Sequence, residues 1–209
     1  MSWSDPQMTS TESVPTGNTY DKYASANPIE RRLMATFLAQ LHRALPEEAP
    51  ATVLEVGLGE GEVALRVRQR YPGAFLTGVD LPDPALAGHW ATTGLPASFA
   101  DVGALPFPDR SFGLVLAIEV LEHVPSPEDA LAEIARVASG PVVLSVPREP
   151  LWRVANLARG KYVSTFGNTP GHIQHWTRRS FTRLVSRHLY VTGVQTPPPW
   201  TMVSARVRR

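Results

Sequence analysis

The chain has 209 residues, with 20 Lys and Arg against 19 Asp and Glu and no cysteine. That length supports one domain with a sizeable core, and the missing thiol excludes disulfides, thiolate metal ligands and a cysteine nucleophile. No apolar run approaches the ~20 residues that span a bilayer, and the N-terminus lacks the basic-then-apolar signature of a secretion signal, so a soluble, cytoplasmic protein without membrane insertion is expected. The near-neutral total hides an asymmetry: 11 Lys and Arg and one acid, Glu149, fall from Arg148 to Arg209, leaving 9 basic and 18 acidic residues before them. A cationic last third points to an anionic substrate or partner, or is simply a solvated basic surface.

Met1 to Thr19 is polar, rich in Ser, Thr and Pro and without period, which predicts a flexible arm ahead of a single domain over residues 20–209. After Asn27-Pro28, the apolar residues Ile29, Leu33, Met34, Phe37 and Leu41 recur at helical spacing and predict an amphipathic helix. Strand Thr52 to Val56, helix Glu62 to Arg70, strand Ala74 to Val79, a short helix near Pro84 to Ala91 and strand Ala97 to Ala100 follow. Strand Phe112 to Ile118, helix Pro127 to Ala138 and strand Val142 to Val146 continue the alternation. Ser126, Pro127 and Asp129 read as the capped start of that last helix. Such alternation implies a parallel sheet covered on both faces, with ligands beyond the carboxyl ends of its strands. After Val146 the pattern breaks. Residues 147–177 read as an insertion or lid with a short helix near Leu151 to Ala158, before helix Arg178 to Arg187 and a closing strand pair, Tyr190 to Val194 and Thr201 to Val207.

The chain is organised around Val53-Leu54-Glu55-Val56-Gly57-Leu58-Gly59-Glu60-Gly61. An apolar strand runs into three glycines that allow a tight turn and close approach to a ligand before a helix begins. A dinucleotide fingerprint would want a third glycine where Glu62 stands, and a carboxylate facing a pyrophosphate is repulsive. Glu55 and Glu62 suit a cationic nucleoside better, which disfavours a nicotinamide-dependent oxidoreductase.

This stretch resembles the first motif of the class I S-adenosylmethionine-dependent methyltransferases. Val79-Asp80 falls where that family's second strand ends and Ala100-Asp101-Val102 where its third ends. Leu105-Pro106-Phe107-Pro108-Asp109-x-Ser111-Phe112 and Glu119-Val120-Leu121-Glu122-His123-Val124 follow in the family's order, with Gly113 departing from its usual Asp. The resemblance implies a Rossmann-like α/β fold whose mostly parallel seven-stranded sheet carries an antiparallel last strand, with S-adenosylmethionine as cofactor. It implies that Glu55, Gly57, Gly59, Gly61 and Glu119 line the cofactor. Asp80, beside Leu81, would hold the ribose hydroxyls, and Asp101 and the Val102 backbone the adenine. The family places its N-terminal helix over the cofactor, where Tyr20, Tyr23 and Asn27 could contribute.

Methyl transfer needs an oriented acceptor and, for an oxygen nucleophile, a way to remove its proton. If the chain turns helically after the fourth strand, Glu119, Glu122 and His123 share one face and form a candidate metal site for Mg, Mn, Fe or Zn, the carboxylates favouring the harder Mg or Mn, with His172 as a fourth ligand. The pattern Glu-x-x-Glu-His with a later His172-x-x-x-Trp176-Thr177-Arg178 is similar to the small-RNA 3′-terminal ribose 2′-O-methyltransferases. Its first part also resembles the ubiquinone-pathway O-methyltransferases, so vicinal hydroxyls are the shared theme. Structural hydrogen bonding is the competing reading of the same residues. Glu119 and His123 are then the catalytic candidates, with His175 as general base if no metal binds. The resulting expectation is O-methylation of a small phenolic, quinol or sugar-like acceptor, anionic in character if the basic third faces it. An RNA 3′ end, metal-free C- or N-methylation and a cofactor-binding regulatory protein are the alternatives.

Overall fold

The computed structural model describes residues 27–160 and 162–208. The predicted arm over residues 1–19 and the cofactor-covering role of Tyr20 and Tyr23 lie outside the described residues. Helices α1 (Pro28–Ala44), α2 (Glu62–Arg70) and α3 (Pro84–Thr93) alternate with strands β1 (Thr52–Val56), β2 (Phe75–Asp80) and β3 (Ala97–Phe99). Then come β4 (Leu114–Ile118), α4 (Pro127–Val137), β5 (Pro141–Pro147), α5 (Leu151–Ala158), α6 (Arg178–His188), β6 (Leu189–Gln195) and β7 (Trp200–Val207). The strands form one seven-stranded sheet in the order β3-β2-β1-β4-β5-β7-β6. The pairs from β3 to β5 are all parallel, and β7 runs antiparallel to both β5 and β6.

The two-residue period of the strands decides which helices cover which face. Leu54, Val115, Ala117, Val142 and Leu144 pack with α4 and α6, through Leu131, Ile134, Phe181 and Val185. Their neighbours Val53, Leu114, Leu116 and Val143 point the other way, onto Phe37 and Leu41 of α1, Val67 of α2 and Trp90 of α3. Both faces are therefore dry, which is why β4 reads as an unbroken apolar run and β1 is interrupted only by Glu55, itself buried near the carboxyl end of the strand.

Local signals hold in most places and fail in two. Asn27 caps α1, its side chain accepting from the Ile29 N–H at 2.9 Å, with Pro28 next. Ser126 makes no such bond, so the capping pattern predicted for α4 is not formed. Its ψ of 78° turns the residue away from the extended cap conformation, and the helix start rests on Pro127 and on Glu128 and Asp129 in the first turn. A capping box does form at α6, between Thr177 and Ser180. β4 begins later than predicted, because Phe112 pairs only in an isolated bridge with Ala138.

The run from Leu105 to Phe112 is held by two side chains of α4: Glu133 accepts from the Leu105 N–H at 2.8 Å. Arg136 donates to the carbonyls of Phe107 at 2.7 Å and Leu105 at 2.9 Å, and to the carboxylates of Asp109 and Glu133. Those carboxylates hold the guanidinium well above its usual pKa. This motif is a clamp on the approach to β4. The departing Gly113 sits at the start of that strand, its N–H on Thr52 Oγ1 at 2.9 Å, away from the residues that line the cavity described next.

Candidate functional site

At the carboxyl end of β1 the chain turns back under β2: the N–H groups of Gly57 and Leu58 both donate to the Val79 carbonyl, at 2.8 and 3.0 Å. The turn needs glycine for two reasons. Gly57 has φ +70°, and a Cβ there would lie 2.3 Å from Val120 Cγ2; Gly61, which opens α2 at φ +83°, would place one 2.1 Å from Leu95 Cδ1. Asp80 closes the loop from the other side. Its Oδ2 accepts from the Gly59 N–H at 2.6 Å and its Oδ1 from the Leu81 N–H at 2.7 Å, so the carboxylate is fixed against the glycine turn. Burial raises the Asp80 pKa, while those two N–H groups oppose the rise. Glu55, one strand over, is buried outright: burial and then the charge of Asp80 push its pKa well up. Its Oε2 has no hydrogen-bond partner among the described residues. Asp101 is exposed and spends Oδ1 on the Gly103 N–H at 2.8 Å, and Val102 beside it is buried.

These residues line a cavity of about 720 Å³, within the ~300–1,000 Å³ typical of small-molecule sites. Glu55, Gly57, Gly59, Gly61, Asp80 and Leu81 are on its wall, as are Asp101, Val102 and Glu119. Glu62 also lines it, with its carboxylate on Arg66 at 2.6 Å.

The opposite wall departs from expectation at one residue. Glu119 sits at φ +60°, left-handed for a non-glycine residue, and the chain then enters a short 3-10 turn, Leu121–His123, instead of an α-helix. The predicted convergence of Glu119 with Glu122 and His123 is therefore not formed. The Glu119 carboxylate instead accepts from Ser145 Oγ at 3.1 Å and from the Trp200 indole N–H at 2.6 Å. Glu122, His123 and His172 do come together, with one potential ligand atom from each within 4.8 Å of the others. His172 reaches them because the segment after α5 is stitched to the 3-10 turn. The Ile173 and Gln174 N–H groups both donate to the Glu122 backbone carbonyl, at 2.9 and 3.0 Å. His123 Nδ1 lies 2.9 Å from the Gly171 carbonyl. A carbonyl only accepts, so that bond puts the proton on Nδ1 and, in the neutral ring, the lone pair on Nε2.

His175 is not brought to the cavity. It is exposed, and its Nε2 lies between Arg153 Nη2 at 2.9 Å and Asn168 Oδ1 at 2.8 Å. Partial burial and then the Arg153 charge lower its pKa. A ring outside the cavity has no acceptor proton within reach, so the general-base reading of His175 loses its geometric basis.

The helix expected near Leu151 to Ala158 forms as α5, but the sequence reading did not foresee which of its side chains line the cavity. Trp152, Asn156 and Arg159 follow the spacing i, i+4, i+7, and all three line the cavity, whereas Val154 and Leu157 on the other side of the helix are exposed. The signal was present as a buried-type asparagine at helical spacing from a tryptophan inside an apolar stretch. The Arg159 guanidinium pairs with Glu30 of α1 at 2.9 Å, and Trp152 stacks on His172 with ring centroids 5.7 Å apart. No helix among the described residues is long and apolar enough to cross a membrane.

Residues 29–188 match the family model described as a methyltransferase domain. Over 112 residues the chain is 38% identical to a demethylmenaquinone methyltransferase of Thermus thermophilus, covering 50% of this chain and 51% of that protein. Over 111 residues it is 32% identical to a ubiquinone biosynthesis O-methyltransferase of Pseudomonas paraeruginosa, covering 49% of this chain and 47% of the relative. The chain thus spans about half the length of the curated relatives it matches. A methyltransferase from Haloferax volcanii, solved in complex with the Trm112 methyltransferase activator, superposes with a TM-score of 0.68 at 17% identity, over 87% of this chain and 92% of that one. Sheet order, glycine turn and family match agree: the chain belongs to the methyltransferase-domain family and has the class I S-adenosylmethionine-dependent methyltransferase fold.

Proposed function

We propose that this chain is an S-adenosylmethionine-dependent O-methyltransferase whose small acceptor presents two neighbouring hydroxyls to Glu122, His123 and His172. The observation that carries this reading is the gathering of those three side chains in the same cavity as the glycine turn and Asp80. The cofactor half fits a cationic nucleoside. On this reading Asp80 would accept the ribose hydroxyls, and the carboxylates of Glu55 and Glu119 would favour a ligand carrying a sulfonium and an ammonium. Orienting the acceptor in line with an already activated methyl group supplies much of the acceleration, ~7 to 11 kcal/mol in well-oriented systems.

Glu122, His123 and His172 fit a divalent cation. One carboxylate and two imidazoles form a mixed O/N donor set, which suits Mn, Fe or Zn better than Mg. The Gly171 carbonyl fixes the His123 tautomer that leaves Nε2 as the ligating nitrogen. An ion held there would orient both hydroxyls and lower their pKa, a task His175 is too far outside the cavity to perform. The names of two relatives, a demethylmenaquinone methyltransferase and a ubiquinone biosynthesis O-methyltransferase, support a phenolic or quinol acceptor over a sugar. An RNA 3′ end ranks below it, because eight of the residues lining the cavity are Asp or Glu and a polyanion would be repelled.

Calorimetric titration of Mn²⁺ into protein saturated with S-adenosylhomocysteine tests the site. One-to-one uptake that His172→Ala abolishes, with catechol methylation lost on chelation, is the expected result. Methylation of catechol that survives chelator, or no uptake by the wild type, sinks the metal-assisted reading.

A further inference from the structure

We infer that Arg159 is the anchor for a carboxylate on the acceptor, so that the substrate class is a vicinal diol bearing an acidic group; the inference rests on the acceptor site proposed above. Arg159 is the one Lys or Arg among the described residues lining the cavity, against eight Asp and Glu. In a cavity of that sign, Arg159 is, among the described residues, the cationic side chain able to attract an anionic group at a distance from the proposed metal site.

The guanidinium is built in, not loosely disposed. Its Nε donates to the Ala155 carbonyl at 3.1 Å, Nη1 to Glu30 Oε1 at 2.9 Å and Nη2 to Asn156 Oδ1 at 2.5 Å. Asn156, 1% exposed, spends the other end of its amide on the Gly167 carbonyl at 2.8 Å and Thr169 Oγ1 at 3.2 Å. A buried amide inside an apolar helix is costly unless every bond is made, and here its bonds fix the arginine and the loop together. A guanidinium has five N–H donors. The three bonds leave one N–H on each terminal nitrogen, enough donors for a two-point contact with a carboxylate. Glu30 offsets part of the charge and in return removes the side-chain entropy that a carboxylate would otherwise have to overcome.

Arg159 also stands in a continuous relation to the reacting end. Thr169 Oγ1 accepts from Asn156 and from the Trp152 indole N–H at 2.9 Å, and Trp152 stacks on His172 at an interplanar angle of 28°. Arg159, Asn156, Thr169, Trp152 and His172 thus form one wall of the cavity. An aromatic acceptor lying along Trp152 would have its hydroxyls at the His172 end and its acidic substituent at the Arg159 end.

The experiment is titration of catechol, 3,4-dihydroxybenzoate and benzoate into Mn²⁺-containing protein saturated with S-adenosylhomocysteine, for the wild type, Arg159→Met and Arg159→Lys. The wild type should bind dihydroxybenzoate about tenfold more tightly than catechol, the size of one charge-assisted interaction. Arg159→Met should bring that ratio to within about twofold, and Arg159→Lys, which keeps charge but loses the fork, should fall between. Equal affinities in the wild type, or a preference that persists in Arg159→Met, would overturn the inference. Benzoate separates the two levels: if catechol does not bind, the diol reading fails, while benzoate binding that Arg159→Met removes still upholds the carboxylate anchor. An unchanged affinity for S-adenosylhomocysteine in both variants certifies that α5 remains folded.

Discussion

The two walls of the cavity are made in different ways. The wall proposed to face the cofactor is mostly main chain: a glycine turn at the end of β1, hung from the Val79 carbonyl and braced by Asp80 at the end of β2. The proposed acceptor wall is side chains, Glu122, His123, Trp152, Asn156, Arg159 and His172, and most of them arrive from the segment between β5 and α6. Main-chain sites tolerate almost no change in the residues that shape them, whereas side-chain sites can be retuned one residue at a time. A cofactor shared by many reactions belongs on the first kind of wall, and a variable acceptor on the second.

The largest effect on the cofactor wall is expected from Gly57→Val, where a left-handed φ and the 2.3 Å approach to Val120 act together. Binding of S-adenosylhomocysteine should weaken by about 100-fold or more. Asp80→Ala should cost at least about tenfold, the loss of charge-assisted bonds to the ribose. In Asp80→Ala, Mn²⁺ uptake at Glu122, His123 and His172 should stay within about twofold of wild type, whereas Gly57→Val, which pushes on Val120 beside the Leu121–His123 turn, should weaken uptake as well. Uptake that collapses along with cofactor binding in Asp80→Ala would mean that the two walls are one cooperative unit.

A subtler contrast concerns charge. The Glu55 carboxyl, raised by burial and by Asp80, is more readily protonated in the folded state than at its ordinary value of 4.5. Its contribution to stability is therefore complete below that value and is given up as pH climbs through the raised pKa. Thermal denaturation of the ligand-free protein should show Tm declining over that window, and Glu55→Gln should flatten the decline while weakening S-adenosylmethionine more than S-adenosylhomocysteine, since only the former carries the sulfonium. A Tm profile identical in the two proteins would remove Glu55 from this role. The smallest expected effect separates α4 from α6. Thr177→Ala should destabilise by ~1 kcal/mol, because its cap bond is made. Ser126→Ala should stay within about 0.5 kcal/mol, because its cap bond is not. Chemical denaturation resolves the pair.

The cofactor wall was legible in the sequence because its determinants are local. Apolar runs set the strands, glycines mark the turn, and Asp80 and Asp101 follow the strand ends in fixed order. His172 was legible for another reason, the resemblance of its surrounding pattern. What spacing could not supply was the backbone at Glu119: one left-handed residue reverses where a carboxylate points, and nothing in Glu-x-x-Glu-His distinguishes an α-helical continuation from a 3-10 turn. Arg159 was obscured by a charge count taken over the whole last third, in which α6 contributes exposed arginines that never meet the cavity. Ser126 shows the same limit at a smaller scale, since a capping residue caps only if its own ψ is extended.

The loop that carries the acceptor wall is closed at its base. Arg148 bridges to Trp176, the Glu149 N–H donates to the Trp176 carbonyl at 2.8 Å, and the Glu122 carbonyl receives Ile173 and Gln174. Between those two fastenings, residues 150–171 supply Trp152, Asn156, Arg159 and Thr169 to the cavity, with Trp152 stacked on His172 and Arg159 paired with Glu30 of α1. In evolutionary terms this makes the segment a contiguous cassette: replacing some twenty residues would change the proposed acceptor wall, as long as the contacts to His172 and Glu30 are rebuilt, and would leave the glycine turn and Asp80 in place.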